Sequence, residues 1–277
     1  KNSDLTISKV RGTIAIKTES TDSDLNNLNG NININTRGGN ISATKLSGEM
    51  ELTVVSGDIN IFDCNANSML TMDNGNIFIN GLKGNLLSNT TLGETLVSNY
   101  EGESSVFNIN VGNLKINKSK SNINATIDIG SVNINNIQGA TTIFTGKGEI
   151  NLNNIIGDVN CNTNFGNVNG INLFGKINAN SELGDIEINK GYNSFLKDHS
   201  VNIATKRGSI SVRLPSDLPY AINSQCHNLE TRNAISSEIP LDEEFLSAKV
   251  VGQGKIKEGT ISCNLSSNYG PISIFTN

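Results

Sequence analysis

The sequence predicts an all-β fold, a single parallel β-solenoid whose 18-residue coils each consist of two nine-residue units, capped at the C-terminal end. Three observations predict it: glycine recurs every nine residues, most of these glycines open the phrase Gly-x-Ile-x-Ile, and like residues recur at a spacing of eighteen. A fixed period of this kind is typical of repeat architectures. The periodic glycines are Gly30, Gly39, Gly48, Gly57, Gly75, Gly84, Gly93, Gly102, Gly112, Gly130, Gly139, Gly148, Gly157, Gly166, Gly175 and Gly184.

Each nine-residue unit alternates between polar and apolar positions after its glycine. With the glycine counted as zero, positions two and four are apolar and positions one and three are polar, as in Gly57-Asp-Ile-Asn-Ile. This alternation predicts a short strand with one buried face. An apolar residue near position seven or eight predicts a second bend with an inward side chain in every unit. These residues are Leu46, Val55, Cys64, Leu82, Ile137, Ile155 and Leu173.

The spacing of eighteen indicates how the units stack. Nine extended residues span roughly 30 Å, which is too short to close around a core, whereas two units are long enough. Ile59 then lies on Ile77 in the next coil, and longer columns of like residues follow. An antiparallel meander is the alternative, but it would require tight-turn pairs at the corners. The longer columns are Val132, Ile150, Val168 and Ile186; Thr141, Val159 and Ile177; and Ile143, Cys161 and Ala179.

The repeat continues where glycine is absent. Ala66 and Ser121 occupy two of the glycine positions without a change of register. One interval, from Gly102 to Gly112, contains ten residues, which predicts a single-residue β-bulge. We therefore expect regular coils over residues 1–190.

Residues 191–277 are predicted to form the last coils and a C-terminal cap of the same domain. The nine-residue period is lost from Gly191 to Arg207, a stretch that contains Phe195, Leu196 and His199, and it resumes at Gly208. Residues 226–245, with Asn228, Glu230, Asp242, Glu243 and Glu244, are interpreted as a loop. Alternation returns at 248–256 and 260–265. A cap is expected because an open solenoid end exposes unpaired strand edges.

Composition excludes several classes of function. The net charge is −5 without a cluster of Lys or Arg, Trp is absent and aromatic residues are 5%, so we expect no nucleic-acid partner. No apolar run approaches the roughly 18 residues of a transmembrane helix, so no transmembrane segment is expected. Four widely separated cysteines, Cys64, Cys161, Cys226 and Cys263, are interpreted as buried free thiols.

The polar residues of the repeat do not form a pattern typical of catalysis. Asp58, Asp158 and Asp185 follow corner glycines, but asparagine takes that position after other glycines, so no row of carboxylates is expected. The calcium-binding phrase Gly-Gly-x-Gly-x-Asp is matched only at its start, by Gly38-Gly39. We therefore predict no enzymatic activity and no catalytic, cofactor-binding or metal-binding residues.

Asparagine is frequent on the outward positions, and Asn133, Asn151 and Asn169 are spaced by eighteen. Stacked amides of this kind stabilise parallel strands by hydrogen bonds along the stack. A face of asparagines that binds a carbohydrate or a protein is the alternative. The two histidines, His199 and His227, lie outside the regular repeat and are expected at the surface or in the cap.

The chain resembles the adhesin family of bacterial-type β-strand-repeat domains, some of which are head domains rich in Gly, Ile and Asn. The resemblance depends on the repeated Gly-Asp/Asn-Ile-x-Ile phrase, on Gly208-Ser-Ile-Ser-Val-Arg-Leu-Pro, on Gly259-Thr-Ile-Ser and on Asn268-Tyr-Gly-Pro-Ile-Ser-Ile. Most bacterial relatives end in Gly-Asp-Ile, where this chain has Gly270-Pro271-Ile272. The resemblance implies a β-solenoid with a binding or scaffold role and supplies no catalytic motif.

These features together predict a non-enzymatic, adhesin-like interaction module that binds a protein or a cell-surface glycan. One alternative is a structural or accessory subunit of a larger assembly, and another is a polysaccharide-active β-helix enzyme. The resemblance implies a location at the cell envelope or outside the cell. The alternative is a mitochondrion or another organelle, after removal of a targeting segment.

Overall fold

The computed structural model describes residues 3–227 and 234–277, which belong to two compact units, Lys1–Gln138 and Gly139–Asn277. Every regular element in these described residues is a β-strand. None of them forms a helix of the length and hydropathy needed to cross a bilayer. Each unit is a parallel β-solenoid in which strands pair with strands about eighteen residues away, which confirms the predicted fold class.

The N-terminal unit consists of coils whose strands stack in chain order. Ile59 pairs with Ile77 and Ile61 with Ile79, as the eighteen-residue spacing predicts. The side chains of all four are fully buried. The strands are β1 (Ser3–Ser8), β2 (Ile14–Thr18), β3 (Thr21–Asn26), β4 (Asn29–Gly38), β5 (Ile41–Thr44), β6 (Ser47–Ser56), β7 (Ile59–Asn74), β8 (Ile77–Lys83), β9 (Leu86–Leu92), β10 (Thr95–Val111), β11 (Leu114–Ile129) and β12 (Val132–Gln138).

The two nine-residue units of a coil are not equivalent. One kind bends at a residue in the left-handed conformation, such as Asp63 with φ 50°, and buries one apolar side chain after the bend. Asparagine tolerates this conformation better than most residues, which accounts for its frequency there. The left-handed residues other than glycine are Lys9, Asn27, Lys45, Asp63, Asn99, Lys118 and Asn136 in the N-terminal unit, and Asn154, Asn172 and Lys257 in the C-terminal unit.

The other kind of unit remains extended and buries three alternate side chains, as Met50, Leu52 and Val54 do in β6. It has no second bend, so the prediction of an inward residue at Val55 is wrong. Val55 is 41% exposed because it follows the third inward position of an unbroken strand. The other six residues predicted at the second bend are buried, and all six belong to units of the first kind.

The predicted β-bulge is present in β10. The register between β10 and β11 shifts between Glu101 and Ser104, where β10 contains one more residue than its partner. Pairing of β10 with β9 is offset in the same way, so that Leu86 pairs with Ser105. The extra residue predicted between Gly102 and Gly112 therefore lies at the start of that interval.

The C-terminal unit contains the remaining strands. The regular coils continue as predicted, with Thr141 on Val159 and Val159 on Ile177. The strands are β13 (Thr141–Lys147), β14 (Ile150–Ile156), β15 (Val159–Phe165), β16 (Val168–Leu173), β17 (Ile177–Leu183), β18 (Ile186–Lys190), β19 (Val201–Arg207), β20 (Ile210–Leu214), β21 (Tyr220–His227), β22 (Ile235–Ser237), β23 (Leu241–Leu246), β24 (Lys249–Lys255), β25 (Ile261–Ser267) and β26 (Ile272–Thr276).

A column of hydroxyl side chains stabilises the corners of this unit. Thr163 and Thr145 both donate to the carbonyl of Gly148, at 3.3 and 3.2 Å, and Ser181 donates to the carbonyl of Gly166 at 3.0 Å. These hydroxyls occupy the third inward position, which is apolar in the N-terminal unit at Val54. They give corner carbonyls a donor that an aliphatic side chain would not supply.

Two predicted loops are shorter than expected. The period resumes at Val201 instead of Gly208, because β19 pairs with β17 from Val201 onward. Within 226–245, Cys226 and His227 belong to β21, while β22 and β23 account for most of residues 235–246. Asp242, Glu243 and Glu244 lie on β23, which pairs antiparallel with β24. Asn228 and Glu230 lie outside the described residues.

Candidate functional site

The regular stacking of the C-terminal unit is interrupted between β18 and β19. Val159 pairs with Ile177 eighteen residues later, but Ile177 pairs with Val201, twenty-four residues later. The six additional residues lie in the segment 191–200 between β18 and β19, here called the insertion loop. Insertions in repeat proteins lie in surface loops that often carry the binding face. We therefore consider the insertion loop as the candidate functional site.

Lys190 anchors the start of this loop. Its backbone pairs with Leu173, so its side chain enters the column that holds apolar residues in earlier coils. The side chain is fully buried, and its Nζ donates to the carbonyls of Gly175 at 2.6 Å, Phe174 at 2.7 Å and Leu173 at 3.2 Å. The carbonyl of Gly191 lies 3.3 Å away. These hydrogen bonds join the start of the insertion loop to residues 173–175, at the point where the repeat is interrupted.

His199 anchors the other end of the loop. Its ring Nδ1 lies 3.0 Å from the carbonyl oxygen of Phe174, and because a carbonyl only accepts, Nδ1 carries the proton. The phenol of Tyr220 donates to the carbonyl of His199 at 3.0 Å. Burial, together with the charge of Lys190, lowers the pKa of His199. Of the two expected places, the surface or the cap, His199 does not occupy the surface, since only 6% of this residue is exposed. It lies within residues 191–277, the segment predicted to form the last coils and the cap.

Short local hydrogen bonds fix the path of the loop between its anchors. The Oδ1 of Asn193 accepts the N–H of Phe195 at 3.0 Å, and the carbonyl of Asn193 accepts the N–H of Leu196 at 3.1 Å. The carboxylate of Asp198 accepts the N–H of Ser200 at 2.9 Å, and this bond lowers the pKa of Asp198. Side chains that bond their own backbone in this way predefine a turn.

The loop presents two aromatic rings to solvent. Phe195 is 93% exposed, and Tyr192 is 49% exposed while its ring lies 5.3 Å from the ring of His199. The sequence places Phe195 in the broken repeat but gives no reason to assign it a role. The one feature of the sequence that points to this loop is its content of aromatic residues: they make up only 5% of the chain, and two of them lie within this short break.

The carboxylates considered in the sequence analysis accept backbone hydrogen bonds at the corners of the coils. Asp58 Oδ1 accepts the backbone N–H of Asn76 at 2.8 Å, and Asp158 Oδ1 accepts that of Lys176 at 3.0 Å, each one coil further on. Asp185 Oδ1 accepts the N–H of Ser209 at 2.6 Å. The same bond is made by asparagines at this position, including Asn40, Asn76, Asn113 and Asn167. The position after the glycine therefore requires a side-chain acceptor, which Asp and Asn both provide.

The predicted amide ladder is present between Asn151 and Asn169 on the outward face. Asn169 donates to Asn151 at 2.9 Å and Asn180 donates to Asn162 at 2.8 Å in the C-terminal unit. In the N-terminal unit, Asn108 donates to Asn89 at 2.8 Å. These bonds join successive coils and stabilise the stack.

An open groove lies on the outer face of the N-terminal unit. It has a volume of about 490 Å³, and Phe78 and Leu96 form part of its lining together with the amides of Asn117, Asn133 and Asn135. The ring of Phe78 packs against that of Phe62, with the centroids 5.5 Å apart. A larger groove of about 640 Å³ in the same unit is lined by side chains bonded to each other, such as Asn33 to Glu51 at 2.7 Å.

The thiols are buried, as predicted. Cys64, Cys161, Cys226 and Cys263 are all free, and burial raises the pKa of each. The pKa of Cys161 and that of Cys263 are raised to about 12. In residues 3–227 and 234–277, no three side chains of the His, Cys, Asp or Glu type are grouped to hold a metal ion.

Comparisons with known proteins do not identify the family of this chain. No protein-family model matches the sequence, and neither the curated proteins nor the solved structures include a match.

Proposed function

We propose that the protein is a non-enzymatic interaction module that binds another protein through the insertion loop. The observation that carries the proposal is the 93% exposure of Phe195 on a loop whose two ends are held by buried anchors. Aromatic side chains in fixed positions are typical centres of binding energy at protein interfaces. Little further ordering is required on binding, because the turn at Asn193 already fixes the backbone of the loop.

A partner with an apolar pocket fits this geometry. Burying an exposed phenylalanine contributes about 1.5–3 kcal/mol. The loop carries Lys197, an exposed positive charge two residues after Phe195. Next to it, Asp198 lies 3.9 Å from Lys176 on the flank of the loop. The relationship to an adhesin remains a proposal that depends on the resemblance described above.

Substituting Phe195→Ala is expected to weaken binding about 10- to 100-fold, because alanine truncation at interface centres costs about 2 kcal/mol or more. The thermal unfolding midpoint is expected to stay unchanged, since the ring contacts solvent. To identify the partner, a photo-crosslinking residue is placed at position 195 in the native source, and the captured protein is purified. The affinity of that protein for each variant is then measured by calorimetry.

The matched control is Phe165, a ring that is 52% exposed on strand β15 of the same unit. Phe165→Ala is expected to bind like the wild type, and crosslinking from position 165 is expected to capture little. Equal capture at both positions, or full affinity in Phe195→Ala, would contradict the proposal.

A glycan is the second candidate ligand, because the groove beside Phe78 combines an apolar ring with several amides. Sugars offer apolar faces and many hydroxyls, which such a surface can bind by contact and hydrogen bonds. Phe78→Ala is then expected to reduce affinity for the glycan at least about tenfold, since a ring contact contributes on the order of 1.5 kcal/mol. Binding to soluble polysaccharides is measured by calorimetry with Phe144→Ala, a 38% exposed ring outside the groove, as control. Equal affinities in both variants would exclude this groove as the binding site.

A further inference from the structure

The strands β25 and β26, here called the inserted coil, form an inner layer of the C-terminal unit. Strand β25 pairs in parallel with β19 on one side, Cys263 opposite Val201, and with β21 on the other, Cys263 opposite Ile222. Strand β26 lies in the same way between β20 and β22, since Ile272 pairs with both Ile210 and Ile235.

The layers are therefore not stacked in chain order at this end. After β20 the chain passes over one layer, forms β21 to β24, and returns to fill the gap with the inserted coil. Strand β24 pairs antiparallel with β21, which marks the change from regular coil to cap. The gap between β19 and β21 and that between β20 and β22 are each one strand wide, and we call the two together the slot.

The slot encloses the inward side chains of the inserted coil. Leu265, Ile272 and Ile274 are at most 1% exposed within it. Backbone ladders hold the coil at both edges, while Ser267 Oγ donates to the carbonyl of Gly208 and Cys226 Sγ donates to that of Gly270, both at 3.1 Å. An unfilled slot would leave two strand edges unpaired, which is a template for another strand.

The contacts of the inserted coil are made with residues that precede the turn 256–260. Two residues of this turn are in the left-handed conformation, Lys257 with φ 53° and Gly259 with φ 67°. The inserted coil pairs with the layers on both sides, and the strands of both layers precede it in the chain. A coil from another molecule presents the same side chains and the same backbone edges to the slot.

We propose that the slot is a strand-binding site that accepts the inserted coil of a second copy of this chain. The product is an exchanged dimer in which each molecule fills the slot of the other. Short turns that can open into an extended connection favour such exchange. The slot adjoins the insertion loop at Val201 and Tyr220. The exchange requires neither Phe195 nor a bound partner, so this proposal does not depend on the proposed function.

A disulfide between β21 and the inserted coil shows whether the coil in the slot belongs to the same molecule or to a second one. Cys226 and Ser267 are paired neighbours on β21 and β25, and both are fully buried. Adjacent parallel strands lie about 4.8 Å apart, which is within the range of Cα separations that a disulfide bridges. Substituting Ser267→Cys is therefore expected to join the inserted coil to Cys226 after oxidation.

We expect Ser267→Cys folded at low concentration to form this bond within one chain. Folded at millimolar concentration, a fraction is expected to form it between chains and to migrate at twice the monomer mass under denaturing, non-reducing conditions. The control is the double variant Cys226→Ser with Ser267→Cys, which lacks the partner thiol and is expected to give no such dimer. Bonds within single chains at every concentration, or equal dimer in the control, would overturn the proposal.

A second measurement tests the slot without the Ser267→Cys substitution, which could itself prevent folding. A protease site is introduced after Lys257 in the full chain, the folded protein is cleaved, and a labelled peptide of residues 259–277 is added. The peptide is expected to replace the cleaved segment, whereas a peptide carrying Ile272→Asp and Ile274→Asp is not, because both side chains are buried in the slot. Incorporation of neither peptide, or of both equally, would overturn the proposal.

Discussion

Substituting Gly93→Ala is expected to lower the free energy of unfolding by about 4 kcal/mol or more, the sum of backbone strain and steric overlap. Gly93 has φ 146°, a conformation that residues with a Cβ reach only with strain. A Cβ at this position would also overlap the carbonyl oxygen of Gly75 in the preceding coil. The amide of Gly93 in turn donates to the carbonyl of Val111 at 3.0 Å. Separating the coils to make room would therefore weaken hydrogen bonds on both sides.

Gly12→Ala is the matched control for this prediction. Gly12 also has a positive φ, 127°, but an added methyl group would meet no heavy atom within 4 Å. It therefore measures the strain alone, which is expected to cost about 1–2 kcal/mol. Urea unfolding of both variants gives the difference. Equal losses would mean that the close approach of the coils contributes nothing to the requirement for glycine.

The period of the sequence determines most of what could be predicted about the fold. Ile59 and Ile77, or Thr141 and Val159, are paired in the structure because inward side chains at the same position of successive coils stack in one column. The bulge in β10 was predictable for the same reason, since one added residue shifts every later glycine by one.

The differences between the two nine-residue units were not predictable from the glycine period alone. Val55 and Cys64 occupy similar positions after their glycines, yet Cys64 follows a left-handed residue and Val55 does not. The left-handed residue that separates the two kinds of unit recurs every eighteen residues, as at Asn136, Asn154 and Asn172. The spacing alone does not identify this corner, because Asn133, Asn151 and Asn169 recur at the same interval and are not left-handed.

The place of the inserted coil in the stack could not be predicted from the nine-residue period. Val201 pairs with Cys263, sixty-two residues later, and the sequence between them contains a cap of different topology. Alternation predicts that β25 is a strand but not which neighbours it has, because every inner strand of the unit alternates in the same way. Only the assembled layers show that it lies inside the stack.

The candidate site was only partly predictable for a related reason. The loss of the period after Lys190 predicts a loop, and Phe195 lies in it. The role of Lys190 could not be predicted, because a lysine side chain usually lies in solvent. Its burial depends on three carbonyls, of Leu173, Phe174 and Gly175, that converge only when the coil is folded.

Lys190→Met is expected to lower the free energy of unfolding by about 3 kcal/mol, because it removes the donor while keeping a flexible stem of similar length. The carbonyls of Phe174 and Gly175, 2.7 and 2.6 Å from Nζ, would lose this donor in a buried position. Lys176→Met is the control, since its ammonium is exposed and forms only a 3.9 Å ion pair with Asp198. That variant is expected to lose less than about 1 kcal/mol. Equal losses in both variants would mean that Lys190 does not anchor the insertion loop.

The pH dependence of stability provides an independent measurement of the same side chain. Burial lowers the pKa of Lys190 from 10.5 to about 7, against the weaker attraction of Asp158 and Asp198. Between these two values the unfolded chain binds one proton more than the folded chain, so the free energy of unfolding increases as pH rises. From pH 7 to pH 8 the expected increase is about 1 kcal/mol in the wild type, and it is expected to be absent in Lys190→Met. This window lies above the titration of His199, whose pKa is lowered from 6.5. It also lies about one pH unit below the ordinary thiol pKa of 9.0. Nearer to that value the raised pKa values of Cys64, Cys161, Cys226 and Cys263 lower the free energy of unfolding. Urea unfolding at both pH values measures the difference, and an increase of the same size in Lys190→Met would assign the effect to another group.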